Sequence, residues 1–494
     1  MRFFCSLTLA FALALLPCLS AGCDSSPKDT ATPLPMPRLS ADGTRIVDPH
    51  GDTVVLRGVN LGGWLFNETW MTQIDYSLRG RIHMLAVREG LKDEIEETML
   101  ELGYDDSGQL DLVIKALAEI IGAEEAGNFG GLVAEYLPTV YDDSDYPLRR
   151  KLAERFGEEG RDELLDVFQE AWITEDDIAW IASHGFTVVR LPIGYRNLIV
   201  GPDLDKPEDL SWNEPTFERI SRLLDWCERH RLHVVLDIQE SPGGHNAFAG
   251  EAQLYYDEQM QAMTVEIWEE LSRRYQDRSV VAAYSLLAEP FGAPTPEARD
   301  QMYDLLVKAI RARGDDTLLV IHDGFFGMMS LPQPDEMGWE GVIYSSHIFE
   351  FDARSYEFYE SILKFFYRTT YQPSQADHNV PYYVASFSTR IDQPWAYDAA
   401  ALLLDWFDER EFSWSIWAYK QIDDPIAVEL WDRRSTFGLV GRLPDDFDFV
   451  RPDVFDDDFE TLRARLRAYG ELPMGTNEHL LEVLTSESPR VTDR

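Results

Sequence analysis

The sequence predicts an α/β chain folded as a (β/α)8 TIM barrel, with an N-terminal β-hairpin and a long helical insertion after the first strand. Three observations carry this expectation. Eight short apolar runs recur along the chain, amphipathic stretches separate most of them, and polar or aromatic residues gather at the C-terminal ends of the runs. Runs without strict polar–apolar alternation suit parallel strands buried on both faces, and strand–helix repetition implies a parallel sheet. Eight such units favour closure into a barrel over an open sheet. No glycine-rich phosphate loop follows any run, which sets nucleotide-binding folds aside.

In chain order, the hairpin is expected from Thr44–Asp48 and Thr53–Arg57 around the turn Pro49-His50-Gly51-Asp52, running into the first strand, Val54–Asn60. The other strands are expected at Thr187–Leu191, Leu232–Ile238, Val280–Leu287, Thr317–Ile321, Val342–Ser346, Tyr382–Ser386 and Ser413–Trp417. Helical patterns lie at Glu175–Ser183, Glu218–His230, Tyr255–Arg274, Pro296–Arg313, Tyr356–Tyr367, Tyr397–Asp408 and Phe455–Tyr469, and the pattern after the fifth strand is weak. Residues 72–170 interrupt the first unit with a charged, helix-rich stretch that includes Asp93–Leu102, Leu110–Ile121 and Arg149–Phe156. Insertions after barrel strands project from the C-terminal face, so a helical cap beside the cleft is expected. The barrel region is assigned to residues 41–470 and a C-terminal tail to 471–494.

Residues 1–22 read as an export signal: Arg2 supplies the positive start, Leu7 to Leu16 the apolar core, and Ser20, Ala21 and Gly22 the small residues before Cys23. Such a stretch is too short to span a membrane as a helix. Leu19-Ser20-Ala21-Gly22-Cys23 resembles a bacterial lipobox, with the leucine four residues before the cysteine instead of three. Lipidation at Cys23, with residues 23–40 as a tether, would put the protein on the cell envelope; ordinary cleavage would leave it secreted. Beyond the signal only Cys23 and Cys227 remain, and Cys227 falls in an amphipathic run that suggests a buried helix position. No disulfide framework and no metal-ligand spacing is present, and no cofactor is implied.

The chain carries 88 acidic against 44 basic residues, a formal net charge of −44. Phosphate binding needs basic patches, so nucleic acid and anionic membrane are not expected partners. Contact with a membrane is expected only through an anchor at Cys23.

In barrels of this kind the C-terminal strand ends carry the chemistry. Here they read Arg57–Trp64, Val189–Tyr195, Leu236–Asn246, Leu287–Pro290, His347–Phe349, Val384–Ser388 and Trp414–Lys420. Arg190 and Glu289 at such ends fit an acid–base site or a salt bridge closing the barrel. Glu289 is a candidate general acid, because an apolar pocket lets a carboxyl group keep its proton near neutral pH. Trp64, Trp70, Trp417 and Trp431 are candidate platforms for sugar rings or, taken singly, core filler.

These segments, in this order and spacing, resemble glycoside hydrolase family 5, the cellulase superfamily, and are most similar to its exo-β-1,3-glucanase-like branch. The resemblance covers most of Arg57 to Lys420. It implies cleavage of β-glycosidic bonds with retention, by an acid/base glutamate on strand four and a nucleophilic glutamate on strand seven. By that resemblance Glu289 matches the acid/base, Arg190 the arginine orienting the nucleophile, His347 the strand-six histidine and Trp417 the tryptophan under the catalytic subsite. Gln239, Asn246, Phe349 and Trp64 fall at further substrate-binding positions. The chain departs from the pattern at four places: Ala288 replaces an asparagine, Gln239 a histidine, Phe349 a tyrosine, and Ser386 the nucleophile itself. The expected partner is a β-glucan-type polysaccharide or oligosaccharide. Three activities stay open: weakened hydrolysis of O-glycosyl bonds, a non-catalytic surface receptor, or an inverting glycosidase using a relocated carboxylate from Glu240, Glu350, Asp352, Asp423 or Asp424. A serine hydrolase built on Ser386 and His347 is disfavoured, because Ala385-Ser386-Phe387 lacks the glycines of a nucleophile elbow.

Metabolic labelling with a fatty-acid probe tests the anchor. The wild-type chain should take up label and Cys23→Ser should not; an unlabelled wild-type chain means plain secretion.

Overall fold

The computed structural model describes residues 35–490, except 75–85, 99–109, 136–145, 202–209, 247–251, 350–354, 367–374, 390–394, 424–437 and scattered single positions. Eight parallel strands close into a barrel: β1 (Arg57–Asn60), β2 (Val188–Gly194), β3 (His233–Glu240), β4 (Val281–Ser285), β5 (Leu318–His322), β6 (Val342–Phe349), β7 (Tyr382–Ser388) and β8 (Ser413–Ile416). Each strand pairs with its neighbour in sequence, and β8 pairs with β1. All eight lie within a few residues of their expected positions.

Alternate residues of each strand point into the barrel. At the N-terminal end the interior is apolar: Val188, Val235, Ala283, Leu318, Val320, Ile343 and Tyr383 pack with Leu39, Ile46 and Leu56. Two positions further along the same faces the residues turn polar, to Arg190 after Val188, Asp237 after Val235, His322 after Val320 and Ser345 and His347 after Ile343. The barrel therefore has an oily floor and a polar top. Gly58 on β1 makes the β1–β2 contact possible, since a Cβ there would lie 1.9 Å from the Val188 carbonyl oxygen.

The hairpin forms one turn earlier than expected. Ser40–Asp42 pairs with Arg45–Val47 around Gly43, which sits at φ 57°. The expected turn at 48–52 exists, with Asp48 Oδ1 accepting from the His50 and Asp52 amides at 2.8 and 3.0 Å, but a single bridge, Val47 to Thr53, closes it. The expected second strand is diverted because β8 claims its backbone: the Leu56 carbonyl accepts from Trp414 N and the Leu56 amide donates to Ser413 Oγ. The hairpin's apolar residues plug the barrel floor instead.

Outer helices cover the barrel at Glu175–Ser183, Glu214–His230, Glu258–Tyr275, Pro296–Ala312, Tyr356–Phe366 and Ala396–Glu409, and only the single turn Pro334–Met337 follows β5. Three of the starts have a local cause in a capping side chain. Thr174 and Asp177 form a capping box, Asp257 accepts from Gln259 N and Met260 N, and Thr295 accepts from Ala298 N with Pro296 behind it. Cys227 is buried in its helix.

In the insertion, helices run at Leu110–Ile121, Ala123–Glu135 and Tyr146–Trp172, the last with a non-helical Gly157 (φ 76°). Most of Asp93–Leu102 lies outside the described residues. The Tyr146–Trp172 helix extends well past its expected end and becomes part of the wall. Trp172 Nε1 donates to the Gly62 carbonyl at 2.9 Å, and Arg155 donates to the Val454 and Asp457 carbonyls at 2.7 and 2.6 Å. Residues 471–494, expected as a tail, include a helix at Glu478–Thr485, and Arg490 there pairs with Asp405 and Asp408.

Ile46→Ala should cost about 2–5 kcal/mol of stability, as for other buried large-to-small changes, read from urea unfolding. A loss under about 0.5 kcal/mol, the size of a surface substitution, would show that the hairpin does not seal the floor.

Candidate active site

Glu289 ends the turn that follows β4, in the left-handed region at φ 49°. That conformation is costly for a residue with a side chain and persists only where surroundings enforce it. Here three successive carbonyls are pinned by buried donors: Leu286 O by Trp268 Nε1 at 3.0 Å, Leu287 O by the Tyr303 hydroxyl at 3.2 Å and Ala288 O by His245 Nε2 at 2.6 Å. The other ring nitrogen of His245 accepts from Ser241 Oγ at 2.9 Å. Burial lowers the His245 pKa to about 4, which keeps it neutral and fit for this one-donor, one-acceptor arrangement. Its carbonyl accepts from the Tyr255 hydroxyl.

The Glu289 carboxylate meets His347 Nδ1 at 2.5 Å, with the glutamate side chain 14% exposed. Burial raises the Glu289 pKa, opposed by His322, Arg190 and His245. Burial also drives the His347 pKa well below the usual histidine range, and Arg190 adds to this. His322 stands edge-on to His347 with ring centres 4.4 Å apart, and its Nδ1 accepts from Gly324 N.

Beneath them lies Arg190, with no exposed surface. It is held from three sides: Nη1 donates to Asn60 Oδ1 at 2.7 Å, Nη2 meets Asp237 Oδ2 at 2.8 Å, and Nη2 also reaches Gln239 Oε1 at 3.3 Å. The arginine thus pairs with Asp237, and the salt bridge to Glu289 that the sequence left open is not the one formed. Burial raises the Asp237 pKa, while Arg190 and Ser285 pull it down.

Ser386 lies on β7 directly in register with His347 on β6. It is 2% exposed, and its hydroxyl has no hydrogen-bond partner among the described residues. Trp417 packs with Met71, Ala418 and Phe349. Gly62 lets this ring approach the chain, since a Cβ there would lie 3.2 Å from it. Phe349 and Asn246 are both half-buried.

Trp64 departs from its expected role. It is buried in the main core and donates from Nε1 to the Gln169 carbonyl at 2.7 Å, so it anchors the Tyr146–Trp172 helix and offers no face to a sugar. The side chains of Trp70 and Trp431 lie outside the described residues. Of the alternative carboxylates, Glu240 is buried in an ion pair with Arg196 at 2.5 Å. Glu350, Asp352, Asp424 and the Asp423 side chain lie outside the described residues, as does Cys23.

The family model for cellulase, glycosyl hydrolase family 5, matches residues 156–423, more than half of the chain. The chain belongs to glycosyl hydrolase family 5. Among its family 5 relatives, it is 26% identical over 330 residues to a β-xylosidase of Phanerodontia chrysosporium, covering 64% of this chain and 54% of that protein. It is 31% identical over 195 residues to glucan 1,3-β-glucosidase 2 of Saccharomyces cerevisiae, covering 33% of each. The chain thus spans about half or less of the length of these relatives. A solved endogalactoceramidase shares the fold, with a TM-score of 0.54 and 17% identity over 91% of this chain and 85% of that one.

Sequence reasoning missed the residues that support this family 5 site: Asn60, Asp237, His245, His322 and Tyr303. A signal existed for two of them, because Asn60 and Asp237 are polar residues inside otherwise apolar strand runs.

With its folded pKa above the unfolded value of about 4.5, Glu289 favours folding below that value, and the benefit is lost as pH rises through the folded pKa. Glu289→Gln should therefore gain in thermal stability relative to wild type as pH rises above about 4.5. A difference in Tm that stays constant across this range would show that the carboxyl titrates as if free.

Proposed function

We propose that this family 5 barrel binds a β-glucan-type polysaccharide or oligosaccharide at its C-terminal face and has lost most of its capacity to hydrolyse the O-glycosyl bond. One observation carries the proposal: Glu289 is a buried carboxyl group bonded to His347, its pKa raised by burial, while the β7 residue beside that histidine is Ser386. The first is the environment of a general acid. The second is where a retaining enzyme of this kind needs a carboxylate, about 5 Å from the acid. A neutral hydroxyl stabilises an oxocarbenium-like charge far less than a carboxylate does, and losing the covalent nucleophile removes most of the rate enhancement.

By the family resemblance Trp417, 7% exposed and packed against Met71, Ala418 and Phe349, is the ring on which the apolar face of a sugar would stack, with Asn246 and Gln239 as polar residues on the β3 end. The names of the relatives, a β-xylosidase and a glucan 1,3-β-glucosidase, support a β-linked sugar. A relocated water-activating base at Glu240, as an inverting enzyme would need, is disfavoured by its buried bond to Arg196. An anchor at Cys23 would hold the barrel at the cell envelope, where polymeric sugar is met.

If Glu289 retains its role and Ser386 marks the lost nucleophile, azide or formate should restore cleavage of an activated aryl β-glucoside. An α-glucosyl fluoride, which imitates the missing covalent intermediate, should be transferred to an acceptor sugar. Calorimetric binding of an oligosaccharide without either reaction would assign the chain as a receptor. Ready hydrolysis without additives would defeat the loss-of-nucleophile account, and the anomer released would then report inversion or retention.

A further inference from the structure

Among the described residues, the buried polar atoms at the polar top of the barrel that lack a partner include Ser386 Oγ and His347 Nε2. Buried polar groups are paired as a rule, so an unpaired one calls for an explanation, and a catalytic role is one. Ser386 and His347 lie on adjacent strands. The ladder between β6 and β7 pairs Ser346 with Val384 and then His347 with Ser386, skipping Ala385. This bulge is what turns Ser386 to the same interior side as His347, since without it Ala385 would stand there. Bulges next to active sites commonly re-aim a side chain in this way. The other ring nitrogen of His347 is held by Glu289 at 2.5 Å.

We propose that Ser386, His347 and Glu289 form an acyl-transfer triad, with Ser386 Oγ as nucleophile, His347 Nε2 as its base and Glu289 as the group that orients the base. The site would then cleave carboxylic esters. The choice of an O-acyl substituent on a sugar as the natural ester rests on the carbohydrate reading above, whereas the triad chemistry does not. Triads are recognised by geometry and roles, whatever the chain order, and nucleophile–base contacts are often loose until substrate is bound. If Nδ1 carries the hydrogen and donates to the Glu289 carboxylate, the lone pair is on Nε2. Ser386 stands in register with His347, and neighbouring strands lie about 4.8 Å apart.

The step balances without a co-reactant beyond water. Ser386 Oγ attacks the ester carbonyl carbon while its proton passes to His347 Nε2. The tetrahedral oxyanion collapses, the C–O bond to the alcohol breaks, and the alcohol leaves with that proton. Water then gives a proton to Nε2 as its oxygen attacks the acyl-serine, and the proton returns to Ser386 Oγ as the acid departs. Arg190, whose Nε has no partner, supplies positive charge in the same layer.

A fluorophosphonate probe and p-nitrophenyl acetate test this on the full chain, with oligosaccharide binding measured in parallel. The probe should attach at Ser386, located by mass spectrometry, and ester turnover should fall about 100-fold or more in His347→Gln. Ser386→Ala should abolish both label and turnover while unfolding at the wild-type temperature. As a positioning residue, Glu289 should affect kcat and leave KM: Glu289→Gln should lose turnover at saturating ester. Labelling at another residue, or turnover in Ser386→Ala equal to wild type, overturns the triad. Labelling at Ser386 without oligosaccharide binding upholds the triad and removes the sugar reading instead.

Discussion

The buried hydrogen-bonded chain Asn60–Arg190–Asp237 is the constraint on which the rest of the structure depends. Asn60 uses both ends of its amide. Its Nδ2 donates to the carbonyls of Ala385, Ser415 and Ile416 at 3.0–3.2 Å, and its Oδ1 accepts from Arg190. Arg190 passes the connection to Asp237 on β3. One continuous network therefore ties β7, β8, β1, β2 and β3 across the interior. A guanidinium with no exposed surface is tolerable because both of its terminal nitrogens are held, by Asn60 and Asp237, and removing one partner of such a pair typically costs about 3–5 kcal/mol. The same charge reaches upward, opposing the rise in the Glu289 pKa and adding to the fall in that of His347. Closure of the barrel and tuning of the site are thus one piece of electrostatics.

Above that network the protein maintains a strained acid. The left-handed backbone at Glu289 is held by the pinned carbonyls of Leu286, Leu287 and Ala288, and the donors come from helix Glu258–Tyr275, helix Pro296–Ala312 and the β3 loop. Such over-determination belongs to sites where a side chain must be aimed. It sits uneasily with a barrel that is merely inert, because a structure with no further use for Glu289 would gain by relaxing the turn. On the proposed reading, the serine at 386 alters what Glu289 faces and leaves in place the framework that aims it.

Much of the fold was legible because buried parallel strands leave an unmistakable record of short β-branched and aromatic runs. The hairpin slipped by one turn because its residues read equally well in either pairing; the decision is made by β8, some 360 residues away in sequence, which takes Leu56 for the barrel. Trp64 read as a ligand platform because a strand-end tryptophan looks the same whether its ring faces solvent or a neighbouring helix, and the Tyr146–Trp172 helix that covers it is supplied by the insertion. Arg190, Glu289, His347, Trp417 and Ser386 were singled out by their place in an ordered set of motifs, and the structure sets Ser386 in register with His347 and His347 against Glu289. Their partners were harder to find: His245 and Tyr303 act on backbone carbonyls, and no pattern in a sequence marks which carbonyl a distant ring will reach.

The central claim is that an acid remains at Glu289 and that the attacking carboxylate is missing at Ser386. The most direct measurement compares the kcat/KM of wild type and Ser386→Glu on an activated aryl β-glucoside, with no added anion. The account predicts a wild-type rate near background and a large gain in the variant, lost again when Glu289→Gln is added. Efficient turnover by the wild-type chain, undiminished in Ser386→Ala, would contradict it.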